Sequence, residues 1–247
     1  MAKGDPHVAL VTGAAVGLGQ TFSVALADKG IGVIGVDIAD MSKTAELVVA
    51  AGARFVSVAA DVSDLAAMRD GVDSAVGSLG GLDIVVANAG DYPAAPLEEV
   101  TLRDWRNLMR LNLDGVFCTV QVALPHLRKA GWGRIIAISS GTIWNGNPNQ
   151  TPYVTTKAGL IGFVRSLAGE LGMEGITVNA ITPGLISTAH AVKNLSDEVF
   201  DKIANEQVVK RRMQAEDLNS TLLYLVDEGS DMVSGQTINC DGGQDKH

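Results

Sequence analysis

Short apolar runs alternate with amphipathic stretches from one end of the chain to the other. Runs of four to six residues rich in Val, Ile and Ala are typical of buried strands. Stretches with apolar residues every three or four positions indicate helices that cover a sheet. The predicted strands are Val8–Val11, Gly32–Val36, Phe55–Ala59, Ile84–Ala87, Arg134–Ser139, Thr177–Ile181 and Thr237–Asn239. The predicted helices are 18–29, 41–51, 64–79, 102–129, 152–174 and 215–227.

This alternation predicts an α/β fold in which a seven-stranded parallel sheet carries helices on both faces. No internal repeat or linker-like stretch interrupts the alternation, so we expect residues 1–247 to form a single doubly wound domain. The polar, helix-forming stretch 185–214 has no strand of its own and breaks the rhythm. We expect it to be a lid-like substrate segment, because an excursion of that length is often a binding loop.

Composition narrows the classes of function. The formal net charge is −9, which argues against a nucleic-acid surface and against an anionic membrane. The basic run Lys210-Arg211-Arg212 is expected to be a solvated helix face. Hydrophobic residues make up 47% of the chain, enough for a large core.

Cysteine and histidine give no sign of a metal or disulfide framework. Cys118 and Cys240 lie far apart and neither belongs to a C-x-x-C, while the four histidines lack ligand spacing. We expect Cys118 to be a small core residue and no metal to be bound. No signal peptide and no membrane-length apolar run is visible, so we expect a cytoplasmic protein.

A serine, a tyrosine and a lysine suggest acid–base chemistry. Tyr153 and Lys157 stand four residues apart, a spacing that places both side chains on one face of a helix. The nearby cation would lower the pKa of a phenol, which is about 10 in water. Ser140, at the end of a predicted strand, would polarise the same substrate oxygen. Alone, such a pair is usually a surface contact.

Glycines follow the first strand at Gly13, Gly17 and Gly19, and a helix begins at once. Glycines at a strand–helix turn let the backbone approach a pyrophosphate, to which the N-terminus of the helix offers free N–H groups. Leu18 belongs to the same turn. This placement predicts a Rossmann-type dinucleotide site.

The ends of the next three strands predict the rest of the cofactor site. Asp37 ends the second strand, where a carboxylate accepts from ribose hydroxyls and repels a 2′-phosphate. Val16 offers that phosphate no positive charge, so NAD(H) is preferred to NADP(H). Asp61-Val62 ends the third strand near an adenine edge, and Asn88-Ala89-Gly90 ends the fourth.

With Pro183-Gly184 added, these motifs in this order resemble the short-chain dehydrogenase/reductase family over nearly the whole chain. The resemblance implies that Tyr153 is the acid/base, that Ser140 orients the substrate oxygen, and that Lys157 lowers the tyrosine pKa and binds the nicotinamide ribose. It further implies that Asn112 supports a water relay to the lysine. Thr188 would hold the nicotinamide carboxamide, and Ile186 would offer a backbone contact.

One position departs from the family pattern. The family commonly has two asparagines after the fourth strand, whereas this chain has Ala87 before Asn88. We expect a weaker local hydrogen-bond network with cofactor binding retained.

The expected substrate wall is mostly apolar and includes Tyr92, Thr142, Trp144, Leu185 and Val192. It favours a small or medium, uncharged, possibly aromatic secondary alcohol or its ketone. Segments around Tyr92-Pro93 and the tail from Asp241 are similar to those of the family's phenylethanol dehydrogenases. The stretch Asn147-Pro148-Asn149 is similar to its pyridoxal 4-dehydrogenases.

Two other functions stay open. A 3-oxoacyl carrier-protein reductase of fatty-acid synthesis would normally use NADPH and dock an acidic carrier, which Asp37 and the net charge disfavour. A sensor or scaffold would bind NAD without turning it over. The resemblance also implies a homotetramer, whose dimer axis would pair the helices at 102–129 and 152–174.

Overall fold

The computed structural model describes residues 7–246, and its centre is a seven-stranded sheet. All strands are parallel and their order is β3-β2-β1-β4-β5-β6-β7. The predicted parallel sheet is confirmed, and each strand lies within two residues of its predicted bounds. The strands are β1 Val8–Thr12, β2 Gly32–Asp37, β3 Phe55–Ala59, β4 Ile84–Ala87, β5 Gly133–Ile138, β6 Ile176–Pro183 and β7 Thr237–Cys240.

Helices cover both faces of this sheet, because alternate strand residues point to opposite sides. Leu10 belongs to the core on one face and Val11 to the core on the other. The buried Cys118 is a core-side helix residue, as predicted. The helices are α1 Gly17–Ala27, α2 Ser42–Ala50, α3 Leu65–Leu79, α4 Leu102–Met109, α5 Gly115–Ala130, α6 Thr142–Asn145, α7 Thr151–Leu171, α8 Ala189–Asn194, α9 Asp197–Glu206 and α10 Asn219–Val226. Within residues 7–246, none of these helices is long and apolar enough to cross a bilayer.

The strand order creates a crevice at the carboxyl ends of β1 and β4. From β1 the sheet continues outwards to β2 and β3 on one side, and from β4 to the later strands on the other. Connections therefore leave the two central strands in opposite directions, and ligands of such sheets bind at that point.

The predicted continuous helix 102–129 is wrong in its middle. A π-helical turn, Arg110–Asp114, separates α4 from α5. Such a turn holds an extra residue and changes which side chains face inwards. It buries Asn112 completely.

The basic run is not a helix face either. Gln207 has extended backbone angles and ends α9, so 210–212 is irregular chain. Arg211 pairs with Asp217, while Arg212 pairs with Asp197 and Asp201 of the lid segment, the name used below for residues 185–214. The run thus ties that segment to itself and to the chain beyond it.

The lid segment leaves the sheet and returns to nearly the same place. Ile186 forms a parallel bridge with Met213, and the Ser187 N–H donates to the Met213 carbonyl at 2.9 Å. Between these points lie only the short helices α8 and α9.

Candidate active site

The glycine turn, residues 13–19, connects β1 to α1 and is packed too tightly for larger residues. Gly13 and Gly17 have φ of +65° and +58°, a region that favours glycine. A Cβ on Gly19 would lie 2.0 Å from the Gly13 carbonyl oxygen. The turn is therefore held flat against the start of the helix.

The start of α1 fits a phosphate. The first N–H groups of any helix lack intrahelical acceptors and carry a partial positive charge. The N-cap residue, Val16, provides no side-chain hydrogen bond to them. Leu18 packs against the core beneath the turn. Backbone donors at this helix end thus match the pyrophosphate of a dinucleotide.

Thr12 and Asn88 fix the turn from the neighbouring strand. The Asn88 side chain donates to the Thr12 carbonyl at 2.9 Å. The Thr12 hydroxyl accepts from the N–H groups of Asn88 and Ala89 at 3.0 and 3.1 Å. Asn88 makes these bonds with Ala87 before it, so the departure from the family pattern leaves this link intact. Sequence reasoning gave Thr12 no role.

Asp37 lies beside the glycine turn. Its Oδ2 accepts from the Ala15 N–H at 3.0 Å and its Oδ1 from the Ala39 N–H at 2.9 Å. Each carboxylate oxygen can accept a second hydrogen bond. The half-buried carboxylate therefore braces the turn and can still accept from ribose hydroxyls.

The Asp61 carboxylate, just after β3, is already held by hydrogen bonds and an ion pair. Ser63 donates to Asp61 Oδ1 through both its backbone N–H and its hydroxyl, and these bonds hold the pKa of Asp61 below its usual value. Arg110 lies 3.3 Å from Oδ2 and contributes to the same effect. The buried Val62 packs against Gly115. Sequence reasoning missed Arg110, which the π turn brings to this carboxylate.

Asn112 connects the loop after β4 to helix α7. Its Nδ2 donates to the Asp91 carbonyl at 2.9 Å and to the Thr156 hydroxyl at 3.0 Å. Its Oδ1 accepts from the Asp91 N–H at 3.0 Å. Gly90 lies between this amide and Lys157: its absent Cβ would be 3.0 Å from Asn112 Oδ1 and 3.5 Å from Lys157 Nζ.

The predicted triplet does come together. Tyr153 and Lys157 share one face of α7, with Lys157 Nζ 5.8 Å from the centroid of the tyrosine ring. The Tyr153 phenol hydrogen-bonds with Ser140 just beyond β5. Lys157 Nζ donates to the Ile138 carbonyl at 2.8 Å, and Ser139 donates to the Lys157 carbonyl at 2.8 Å.

The expected lowering of the tyrosine pKa is wrong for the protein alone. Burial raises the pKa of Tyr153 to about 12, and the hydrogen bond with Ser140 opposes this rise only in part. Burial likewise lowers the pKa of Lys157 to about 8. Removal from water raises the pKa of the phenol and lowers that of the ammonium, because each group loses hydration in its charged form.

Thr142 acts on Ser140 in this structure. Its N–H and its hydroxyl lie 3.2 and 3.0 Å from Ser140 Oγ. Trp144, on the same short helix α6, is 36% exposed and directs Nε1 towards Thr182 Oγ1 at 3.5 Å. The serine is thus oriented by its own loop.

The lid segment reaches the site through Thr188. Its hydroxyl accepts from the Ala191 N–H and caps α8. A Cβ on Gly17 would lie 3.7 Å from Thr188 Cγ2, so the lid segment touches the glycine turn. Ile186 is buried beside it, and the Gly184 N–H donates to the Cys240 carbonyl after Pro183 ends β6.

Tyr92 contacts both the lid segment and Tyr153. Its ring centroid is 6.1 Å from that of Tyr153 and 5.1 Å from that of His190, edge to face. Its phenol also hydrogen-bonds with Thr188. The sequence analysis gave His190 no role in the site, because the histidines show no metal-ligand spacing. Leu185 is half-buried, whereas Val192 is 56% exposed.

A cavity of about 320 Å³ opens beside this wall, between the loop after β4 and the start of α7. Its lining includes Asp91, Pro93 and Pro152. None of the five predicted wall residues lines it. The predicted substrate wall and this cavity are therefore different surfaces.

Comparisons with known proteins agree with this geometry. A family model described as Enoyl-(Acyl carrier protein) reductase matches residues 13–245. The (2S)-[(R)-hydroxy(phenyl)methyl]succinyl-CoA dehydrogenase subunit BbsD of Thauera aromatica is 35% identical over 96% of this chain and 96% of its own length. The 3-oxoacyl-[acyl-carrier-protein] reductase FabG of Staphylococcus aureus (strain N315) is 36% identical over 95% of this chain and 96% of its own.

Solved structures give the same match. Carveol dehydrogenase from Mycobacterium avium, in complex with NAD, superposes with a TM-score of 0.91 at 30% identity and covers 99% of both chains. A short chain dehydrogenase from Burkholderia cenocepacia J2315, in complex with NADP, superposes with a TM-score of 0.89 at 30% identity, covering 96% of this chain and 97% of its own.

Proposed function

Because this chain belongs to the short-chain dehydrogenase/reductase family, and is thus an oxidoreductase acting on CH–OH groups, we propose that it interconverts an uncharged secondary alcohol and its ketone with NAD(H). The observation that carries the proposal is the half-buried phenol of Tyr153, in contact with Ser140 and on one helix face with Lys157. All three groups lie at the carboxyl edge of the sheet that also carries the glycine turn.

The preference for NAD rests on charge. Asp37 braces the glycine turn at Ala15 and holds a negative charge where a 2′-phosphate would lie. Val16, at the N-cap of α1, has no positive charge to offset that repulsion. Solved relatives hold either NAD or NADP, so this carboxylate is the feature that decides between them.

The dinucleotide, when bound, supplies or accepts the hydride. Tyr153 would exchange the proton with the substrate oxygen at its Oη, and Ser140 would hold that oxygen. Thr142 fixes the position of Ser140 Oγ by two contacts. Tyr153 and Ser140 would therefore position the carbinol for proton transfer.

Lys157 would favour the phenolate through the positive charge of its ammonium form. Burial lowers the pKa of Lys157 to about 8, so the ammonium form still predominates near neutral pH. Asn112 joins Asp91 to Thr156, and Thr156 donates to the Tyr153 carbonyl at 2.7 Å. These bonds link the first turns of α7 to the loop after β4 and so help to hold Tyr153 in place.

The wall favours an apolar alcohol of small or medium size, aromatic or aliphatic. Tyr92 offers the edge of an aromatic ring against Tyr153 and His190, and Val192 is a largely exposed apolar residue of α8. One relative is named for carveol, a secondary alcohol on an apolar ring. Another is named for hydroxy(phenyl)methyl succinyl-CoA, whose carbinol bears a phenyl ring but whose CoA thioester is large and charged. The likeness to phenylethanol and pyridoxal 4-dehydrogenases points the same way.

A 3-oxoacyl carrier-protein reductase is the second candidate, and the FabG likeness is its support. Asp37 counts against the NADPH that such an enzyme normally uses. A sensor or scaffold that binds NAD without chemistry is the third candidate. The homotetramer and the cytoplasmic location stay predictions.

The first test is a screen of secondary alcohols and ketones with NAD(H) and NADP(H), in which turnover is measured from the absorbance of the reduced cofactor. Tyr153→Phe keeps the ring and removes the proton-transferring group, so turnover should fall by about 10²–10⁴-fold. Tyr224→Phe is the matched control, because that ring is 53% exposed. Equal turnover by Tyr153→Phe and the parent would exclude Tyr153 as acid/base. Strong NADPH preference would favour the carrier-protein reductase.

A further inference from the structure

The C-terminal turn, Asp241–Lys246, is built around one buried carboxylate. Asp241 is 3% exposed. Its Oδ1 accepts from the Gly243 N–H and its Oδ2 from the Asp245 N–H, each at 2.8 Å. Charge-assisted bonds of this kind are the stronger ones in proteins. The carboxylate therefore fixes the path of the chain after β7.

This turn holds the end of the lid segment that follows α9. Gln207 Nε2 donates to the Asp241 carbonyl at 3.0 Å, and the N–H groups of Val208 and Val209 both donate to the Gly242 carbonyl at 2.9 Å. Gly242 has φ of +68°, and a Cβ there would lie 2.8 Å from Gln207 Nε2. The glycine is needed for this close approach.

The same turn touches the beginning of the lid segment. Gly184 packs on Asp241, since a Cβ on Gly184 would lie 3.0 Å from Asp241 Cα. The Gly184 N–H donates to the Cys240 carbonyl at 3.1 Å. Gly184, just before the lid segment, and Gln207, just after α9, therefore both contact Asp241, one on each side of Thr188 and His190 in the chain.

A third contact leads to the loop after Ser140. Asn145 Nδ2, on α6, donates to Asp245 Oδ2 at 3.2 Å. The Asp245 carbonyl accepts from Asn239 Nδ2 at 3.2 Å. The turn thus connects the lid segment to the helix that carries Thr142 and Trp144.

We propose that Asp241 is a positioning residue that sets the distance between the lid segment and α6, and so determines which size of alcohol is admitted. It touches neither substrate nor cofactor, and it acts through Gln207, Gly184 and Asp245. The inference rests on the proposed function, because it concerns the pocket of that reaction.

Asp241→Asn tests this directly. The two N–H groups bond to different carboxylate oxygens, so an amide in the same position would turn its NH2 group, a donor, towards one of them. With NAD saturating, we expect KM for a secondary alcohol that fills the pocket to rise about tenfold, while kcat stays within about twofold. The preference for that alcohol over a bulkier one should fall. Hydrogen exchange at the Val208 and Val209 amides should quicken by about tenfold or more, without a change in the amides of β2.

Asp227→Asn is the matched control. Asp227 Oδ1 also accepts from the N–H two residues on, at Gly229, and this turn makes no described hydrogen bond to the lid segment. Gln207→Met is the second variant: it keeps the volume, removes the donor to Asp241 and should shift KM in the same direction by less. Faster exchange throughout β2, or faster exchange at 208–209 with KM and selectivity unchanged, would overturn the proposal. If the parent oxidises no alcohol, the proposed function fails, whereas the exchange measurement still reports whether Asp241 holds the lid segment.

Discussion

The cofactor side and the substrate side of this site are built differently. On the proposed cofactor side, strand ends and one glycine turn carry the functional groups, and the side chains of Asn88, Asp37 and Asn112 each make two hydrogen bonds to backbone. On the substrate side, the groups belong to α6, α8 and the lid segment, where Trp144 and Val192 remain partly open to solvent. The first side is set by the sheet, the second by contacts among loops.

This difference explains what each side can vary. Parallel pairing aligns Thr12 with Val36 and Ala87 with Ala137, so the residues that follow these strands meet at one edge whatever the loops contain. Helices α6 and α8 have four and six residues. Helices that short are not stable by themselves, and tertiary contacts fix their positions.

The largest effect should come from breaking the cofactor side at Gly19. Gly19→Ala would place a methyl group 2.0 Å from the Gly13 carbonyl oxygen, so the glycine turn must open. A displacement of about 1 Å at such a site can cost about 100-fold, and we expect NADH affinity to fall by that order. Calorimetric titration with NADH measures it.

Gly77→Ala is the control, because a Cβ at this position of α3 meets nothing within 4 Å. That change should leave NADH binding unaltered and raise stability slightly, by up to about 1 kcal/mol. NADH affinity equal to the parent's in Gly19→Ala would mean that the turn does not bind the dinucleotide.

A smaller effect is expected at Asp37, where the two cofactors are distinguished. Asp37→Ala removes the repulsion of a 2′-phosphate, and the ratio of kcat/KM for NADPH to that for NADH should rise roughly 10- to 100-fold. The brace to Ala15 is lost as well, so use of NADH should weaken. Asp40→Ala, three residues on and exposed, is the control. An unchanged ratio of kcat/KM for NADPH to that for NADH would mean that Asp37 does not contact the ribose.

The sequence predicts the positions of the glycine turn, of the strand ends and of Tyr153 beside Lys157, because the signals for them are local. Glycine spacing, strand-end acids and the interval from Tyr153 to Lys157 can all be recognised in the sequence. The π turn is not legible, since α4 and α5 read as one helix and only packing around Asn112 reveals the extra residue. The pKa of Tyr153 was missed for a related reason: spacing shows that a lysine is near, but only the fold shows how much water both groups lose.

The smallest effect should come from the substrate side, at Tyr92. Tyr92→Phe keeps the ring contacts with Tyr153 and His190 and removes only the hydroxyl that meets Thr188. One neutral hydrogen bond contributes about 0.5–1.5 kcal/mol, so KM for the alcohol should change by about two- to tenfold with kcat nearly constant. Tyr92→Leu, which also removes the ring, should raise KM further for aromatic than for aliphatic alcohols. A loss of kcat as large as in Tyr153→Phe would instead make Tyr92 part of the proton transfer, and the division between a fixed chemical side and an adaptable substrate side would no longer hold.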